Sequence, residues 1–288
     1  MPSLSFLVVE IASLVLFFFA LLEVRKQGAG RMTEFLMIFF YALILEELDM
    51  RIFKSYHYGS GFYLMAGQVP VCIAFLWAVI VAGAMSISDF LGIPETARPF
   101  MDALLAVWLD LAIDAIAIRM GYWKWAIPLN QGWFGVPAGN LYAWMWVAFF
   151  FSVLARAVRH LISQNPKWIA AYLAVPFISY AGLYVQLNLI GFAGKVFGLT
   201  SQNQRLILFA FQFIIFLIIV AANWGRRLLS TDHLSPVWLI SRLVIHLYFL
   251  IGFFAFGIFR GIPILGVIAV LILAAEVLFF KKVSYARS

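Results

Sequence analysis

Charged residues are scarce in this chain of 288 residues: Asp, Glu, Lys and Arg make up 11% of it, whereas hydrophobic residues make up 65%. A soluble domain of this size cannot bury so much apolar surface in one core. A bilayer can accept it, because lipid solvates the outer faces of transmembrane helices. The composition therefore excludes an ordinary soluble domain and predicts an integral membrane protein.

Cysteine is almost absent, and several motifs of common enzyme classes are missing. Cys72 is the single cysteine, which excludes an internal disulfide. The sequence has no P-loop, GxGxxG or GxSxG motif, and no His-x-x-His or Glu-x-x-His spacing. We therefore expect no metal site, and neither a nucleotide-driven protein nor a serine hydrolase. The net charge of +7 is explained by basic loops, so we expect no nucleic-acid partner.

Long apolar runs recur along the whole chain. A membrane-crossing helix needs about 20 apolar residues. Nine segments meet this length, and we predict spans at 4–24, 32–50, 67–88, 100–119, 138–158, 167–190, 205–224, 236–259 and 262–280. Only Arg260 and Gly261 separate the last two, so eight spans remain an alternative. The prediction is an all-α, multi-pass bundle in the cell membrane, with residues 1–288 as a single transmembrane domain.

Basic residues concentrate in the loops 25–31 and 156–167. Loops rich in Lys and Arg stay on the cytoplasmic side of a membrane. With nine spans, both loops lie inside when the N-terminus lies outside, and we predict that orientation.

Carboxylates inside spans are costly and indicate a function or a partner. Glu46 and Asp49 are three residues apart in the second predicted span, and Asp110 and Asp114 are four apart in the fourth, so each pair shares a helix face. Both pairs lie toward the same side of the membrane. Crowded carboxylates can provide a general acid and a general base. The alternative is a network of ion pairs with basic neighbours, namely Arg51, Lys54, Arg119 and Lys124.

Two aromatic loops lie on the side of the predicted carboxylate cluster. One contains His57 and Tyr58 and runs to Gly67-Gln68-Val69-Pro70. The other runs from Gly121 to Asn140 and contains Trp123, Trp125 and Trp133. Asn140 enters the fifth span with Tyr142, and its amide can hold water or a carboxylate. Interfacial anchoring is the alternative for the aromatic residues.

These blocks resemble the membrane carotenoid-biosynthesis family, which includes γ-carotene 1′-hydroxylases and bisanhydrobacterioruberin hydratases. The resemblance rests on Asp110-x-x-x-Asp114-x-x-Ala117, Gly121-Tyr122-Trp123-x-Trp125 and Phe134-Gly135-Val136-Pro137-x-x-Asn140-x-x-x-Trp144. Glu46, Tyr56-His57-Tyr58 and Gly67-Gln68-Val69-Pro70, with Trp77 following, fit a second block. The matching blocks lie within residues 46–144.

The resemblance implies addition of water across an isoprenoid double bond, without a cofactor. Asp114 is then the expected acid and Glu46 the second choice, with Asp110 or Asp49 orienting water or accepting its proton. The expected substrate-binding residues are Trp123, Trp125, Trp133, Asn140, Tyr142, Tyr58 and His57, whose aromatic members offer π faces to a cation. A lipophilic carotenoid or other isoprenoid would enter from the membrane lipids.

Other functions fit the same residues. The same carbocation can lose a proton or be captured by another double bond, so the sequence leaves a hydratase, which is a lyase, and a cyclase or isomerase open. Carboxylates in spans also serve proton-coupled transporters. A non-catalytic lipid-binding membrane protein is a further alternative.

Overall fold

The computed structural model describes residues 4–226 and 234–285, and these residues form a helical bundle. Its nine α-helices are α1 (Leu4–Lys26), α2 (Ala29–Ile52), α3 (Val71–Phe90), α4 (Arg98–Ala117), α5 (Ala138–Gln164), α6 (Val175–Val196), α7 (Gln202–Trp224), α8 (Pro236–Ala255) and α9 (Pro263–Tyr285). Each predicted span overlaps one of these helices, and the all-α prediction is confirmed.

Seven of the described helices are long and apolar enough to cross a membrane, which supports an integral membrane protein. The other two, α2 and α4, are also long enough, with 24 and 20 residues, but they contain more charged residues. They carry the carboxylates at 46, 49, 110 and 114, so the lower apolar content of these two helices reflects groups that the bundle buries.

Local sequence explains where several helices begin. Ser201 and Gln204 form a reciprocal capping box at the start of α7. Ser235 caps α8, and Pro236 occupies the first turn, where its missing N–H costs nothing. Gly257, with a φ of +67°, turns the chain between α8 and α9. The last two predicted spans are therefore separate helices and not one long broken helix.

The helices α3 and α4 form the centre of the bundle. In α3, 78% of the apolar span is buried, whereas the figure for α7 is 22%. The apolar outer face of α7 therefore suits contact with lipid rather than protein.

A network of ion pairs joins the helices at one end of the bundle. Glu34 of α2 accepts hydrogen bonds from Arg31 at 2.9 Å, Arg159 at 2.5 Å and Tyr172 at 2.9 Å. Arg156 donates to Asp102 of α4 at 2.6 Å. Because Glu34 contacts both Arg31 and Arg159, the two basic loops lie at the same end.

Two short ribbons cover the opposite end. Strand β1 (Tyr56–Tyr58) pairs antiparallel with β4 (Trp123–Trp125), and β2 (Met65–Ala66) pairs with β3 (Val69–Pro70). The first ribbon continues through Gly59, whose N–H donates to the Tyr122 carbonyl. A Cβ at Gly59 would lie 2.3 Å from the Gly121 oxygen, so the close approach requires glycine. The turn at Gly67, with a φ of +64°, explains why α3 begins at Val71 rather than at 67.

Candidate active site

Glu46 is a buried carboxylate held by three donors from two other parts of the chain. Both tyrosines of β1 donate hydroxyl hydrogen bonds to its Oε2, Tyr56 at short distance and Tyr58 at 2.6 Å. The Trp77 indole N–H of α3 donates to Oε1 at 2.8 Å. Both oxygens of Glu46 therefore have fixed partners, which sets the orientation of the carboxylate.

Asp114 is held in a similar way from the other side. Its Oδ1 accepts indole N–H bonds from Trp123 at 2.5 Å and Trp125 at 3.1 Å. Its Oδ2 accepts a bond from the Asn140 side-chain NH₂ at 2.5 Å. All three partners of Asp114 are nitrogen donors, which cannot accept a hydrogen bond in return.

The other two predicted carboxylates differ in position. Asp49 lines the same cavity as Glu46 and accepts a bond from the Tyr180 hydroxyl at 3.1 Å. Asp110 lies behind Asp114 and accepts a bond from the Asn140 NH₂ at 3.1 Å. Its other oxygen, Oδ1, is buried without a hydrogen-bond partner.

The ribbon of β1 and β4 aims alternate side chains into the bundle. Tyr56 pairs with Trp125 and Tyr58 with Trp123, and all four face inward because side chains of a strand alternate. Their partners in the centre of the ribbon, His57 and Lys124, are exposed. The pattern aromatic-polar-aromatic thus delivers two phenols to Glu46 and two indoles to Asp114.

The two phenols keep their protons. Burial, together with the Glu46 carboxylate, raises the pKa of Tyr56 and of Tyr58 well above the usual value for tyrosine. Both side chains therefore stay neutral at physiological pH and can donate hydrogen bonds to Glu46 or accept them from it.

These groups surround one cavity of about 100 Å³, which is smaller than a typical pocket for a whole drug-sized ligand. The Trp77 and Trp144 rings lie 4.1 Å apart between centroids on its wall, and α8 contributes Ile245 and Phe249. The lining includes Glu46, Asp49 and Asp114 but, among the described residues, no Lys, Arg or His. The cavity is thus apolar and aromatic, and the acidic side chains on its wall have no basic counterpart among the described lining residues.

Three predicted substrate-binding residues lie away from the cavity. Trp133 donates its indole N–H to the Leu111 carbonyl at 2.7 Å. The Tyr142 hydroxyl donates to Gln186 on α6 at 3.0 Å. His57 faces outward from the ribbon. The structure brings together Glu46, Asp49, Asp110, Asp114, Tyr58, Trp123, Trp125 and Asn140.

Basic neighbours do not neutralise the cluster. Arg51 pairs with Glu47 on the outer surface, and Arg119 donates to the backbone oxygens of Ala115 and Phe134. In residues 4–226 and 234–285, no ion pair involves Glu46, Asp49, Asp110 or Asp114. The alternative of an ion-pair network therefore applies to the opposite end of the bundle, around Glu34 and Asp102.

Sequence reasoning did not single out Tyr56, Trp77 or Trp144 as site residues. Trp77 is 31 positions from Glu46, and only packing of α3 against α2 brings them together. The available signal was that all three stand in the blocks that carry the resemblance described above. Trp77 lies six residues after the first residue of α3. Among the described residues, no group of three or more His, Cys, Asp or Glu side chains could hold a metal ion.

Comparison with known proteins places this chain in a family. Searches of curated proteins and of solved structures found no match. A family model described as carotenoid biosynthesis protein matches residues 4–201. The matched region contains all four carboxylates, both ribbons and the helices α1 to α6, and it covers more than half of the chain. The chain therefore belongs to the carotenoid biosynthesis protein family.

Proposed function

We propose that this protein adds water across a terminal carbon–carbon double bond of an acyclic carotenoid or related isoprenoid. The observation that carries the proposal is the pair of buried carboxylates, Glu46 and Asp114, which are held on different helices at one aromatic cavity. No Lys, Arg or His of the described residues lines this cavity. The family supports carotenoid modification, and the cavity supports chemistry that passes through a cation.

The hydrogen-bond partners favour Glu46 as the proton donor. A protonated Glu46 can donate to Tyr56 or Tyr58, because a phenol oxygen also accepts hydrogen bonds. The partners of Asp114 are nitrogen donors only, so they stabilise its ionised form. This assignment reverses the order expected from the sequence, where Asp114 came first as the acid.

The reaction then proceeds in two steps that balance. Glu46 transfers its proton to the less substituted carbon of the double bond, and the π electrons form the new C–H bond. The positive charge on the tertiary carbon is stabilised by the Asp114 carboxylate and by the faces of neighbouring aromatic rings. Water adds to the cation, and Asp114 accepts the proton that this water loses, which gives a tertiary alcohol.

Asp49 completes the cycle in this proposal. It lies one helical turn from Glu46, lines the same cavity and is partly exposed. Protons from solvent can reach Glu46 through it, while Asp114 releases the proton taken from water. No cofactor takes part in either step.

The first test is mass spectrometry of lipid extracts from a host that makes acyclic carotenoids. We expect the wild-type chain to give a product heavier by one water, and Glu46→Gln and Asp114→Asn to abolish it. Glu47→Gln is the matched control, because Glu47 is adjacent in sequence but pairs with Arg51 outside the cavity.

Other results would point elsewhere. A product of unchanged mass and altered retention would replace hydration by isomerisation or cyclisation from the same cation. Full activity of Glu46→Gln would contradict the assignment of the acid. Unchanged carotenoids with well-expressed wild-type protein would remove them as substrates and favour a carrier or a lipid-binding role.

A further inference from the structure

The side-chain amide of Asn140 is held by two carboxylates of α4. Its NH₂ group donates to Asp114 Oδ2 at 2.5 Å and to Asp110 Oδ2 at 3.1 Å. Two acceptors on the same atom require that this atom is the nitrogen, so the contacts fix the orientation of the amide.

Because the nitrogen makes both contacts to α4, the amide oxygen of Asn140 is bonded to neither carboxylate. No described donor contacts Oδ1, and this oxygen is not fully buried. Asn140 lines the same cavity as Glu46 and Asp114. A residue that lines the cavity next to Asp114 therefore carries a hydrogen-bond acceptor that no described donor uses.

We infer that Asn140 Oδ1 holds the water molecule that captures the carbocation, an inference that rests on the proposed hydration. The water donates one hydrogen bond to Asn140 Oδ1 and the other to Asp114, so its oxygen lone pair is free to face the cationic carbon. When the C–O bond forms, the proton passes to the Asp114 carboxylate. Asn140 thus decides whether the cation is hydrated.

Asp110 is a positioning residue in this arrangement. It does not line the cavity, and its effect on the reaction passes through the Asn140 amide. Its unpartnered buried Oδ1 carries an energetic cost, since a buried acceptor without a donor loses its hydration. That cost is consistent with a carboxylate kept for orientation of the amide rather than for stability.

Without a held water, the cation has another outcome. It can lose a proton from a neighbouring carbon, which regenerates the substrate or gives a double-bond isomer. Removal of the Asn140 oxygen should therefore leave proton transfer intact while hydration is lost. A merely structural role would reduce both steps together.

The test uses the full-length protein in lipid discs with an acyclic carotenoid in D₂O. Asn140→Leu is compared with wild type and with Asn188→Leu, an exposed Asn→Leu change on α6. We expect Asn140→Leu to lower the ratio of alcohol to deuterium-labelled hydrocarbon by about tenfold or more. Asn188→Leu should keep the wild-type ratio.

A second variant keeps the inference testable if Asn140→Leu misfolds. Asp110→Asn keeps the Asn140 oxygen but removes one of the carboxylates that orient it, so we expect a smaller shift in the same direction. A wild-type ratio in both variants would overturn the inference, as would loss of deuterium uptake together with the alcohol. Absence of carbon-bound deuterium in the wild-type products would overturn the proposed hydration itself, and with it this role of Asn140.

Discussion

At the scale of single residues, Glu46 and Asp114 differ in the kind of hydrogen-bond partner that each has. Glu46 contacts two hydroxyls, which exchange protons in either direction, and Asp114 contacts only N–H donors. Helix spacing predicted that Glu46 shares a face with Asp49, and both line the cavity. The same rule for Asp110 and Asp114 could not predict that Asn140 links them, since Asn140 is on another helix.

The variant Trp123→Phe tests whether the indole N–H of Trp123 is needed to position Asp114. The change keeps an aromatic ring but removes the N–H bond at 2.5 Å to the carboxylate. Hydrogen bonds to charged groups contribute about 1.5–3 kcal/mol, so we expect kcat to fall by roughly 10- to 100-fold with little change in KM. Trp168→Phe, at an exposed position, is the matched control. Equal kinetics of both variants would exclude a role for the indole N–H.

At the scale of secondary structure, the ribbon of β1 and β4 shows most clearly how an element positions the site residues. Its sequences, Tyr-His-Tyr and Trp-Lys-Trp, alternate with period two, and the structure turns the aromatic positions inward. The alternation within each strand can be predicted from the sequence. The pairing of the two strands cannot, because they are more than 60 residues apart. His57 was expected to bind substrate because the strand period of this loop was not recognised.

The alternation predicts opposite results for neighbouring positions of the ribbon. His57→Ala and Lys124→Ala should keep turnover within about twofold, because surface changes away from the site have small effects. Tyr58→Phe should lower turnover by roughly 10-fold or more, because Glu46 loses a hydroxyl bond of 2.6 Å. Turnover of purified variants is the measurement, and a loss in His57→Ala would show that the outward face takes part.

The ion pairs between helices at the opposite end of the bundle support a prediction about stability. Arg156→Met would leave Asp102, which has 0% exposure, without its cation. An uncompensated buried charge costs about 3–5 kcal/mol of unfolding free energy. Arg51→Met breaks an ion pair in which the Arg51 side chain is 62% exposed, and it should cost less than about 1 kcal/mol. Denaturant unfolding in mixed micelles, followed by circular dichroism, compares the two; equal losses would contradict the structural role.

The molecule as a whole was predictable from hydropathy, whereas its cavity was not. Apolar runs of about 20 residues located the helices because every backbone group in lipid must be satisfied within a helix. The cavity depends on which faces of α2, α3, α4, α5 and α8 meet, and periodicity leaves that geometry open. Ile245 and Phe249 of α8 therefore had no signal as lining residues.

The acidic residues that line the cavity predict the class of ligand. Carboxylates without a described Lys, Arg or His at the wall should repel phosphates, so a neutral hydrocarbon end should bind and an isoprenoid diphosphate should not. Quenching of tryptophan fluorescence by an acyclic polyene measures binding. We expect no competition from an added isoprenoid diphosphate; displacement of the polyene at similar concentration would contradict this account.

The most direct test of the central claim follows the proton from Glu46. Purified protein in lipid discs is given an acyclic carotenoid in D₂O, and the products are analysed by mass spectrometry and NMR. The account predicts an alcohol with one deuterium bound to the carbon next to the new C–O bond, and neither alcohol nor deuterated hydrocarbon with Glu46→Gln. Carbon-bound deuterium formed equally well by Glu46→Gln, or an alcohol without it from the wild type, would contradict the account.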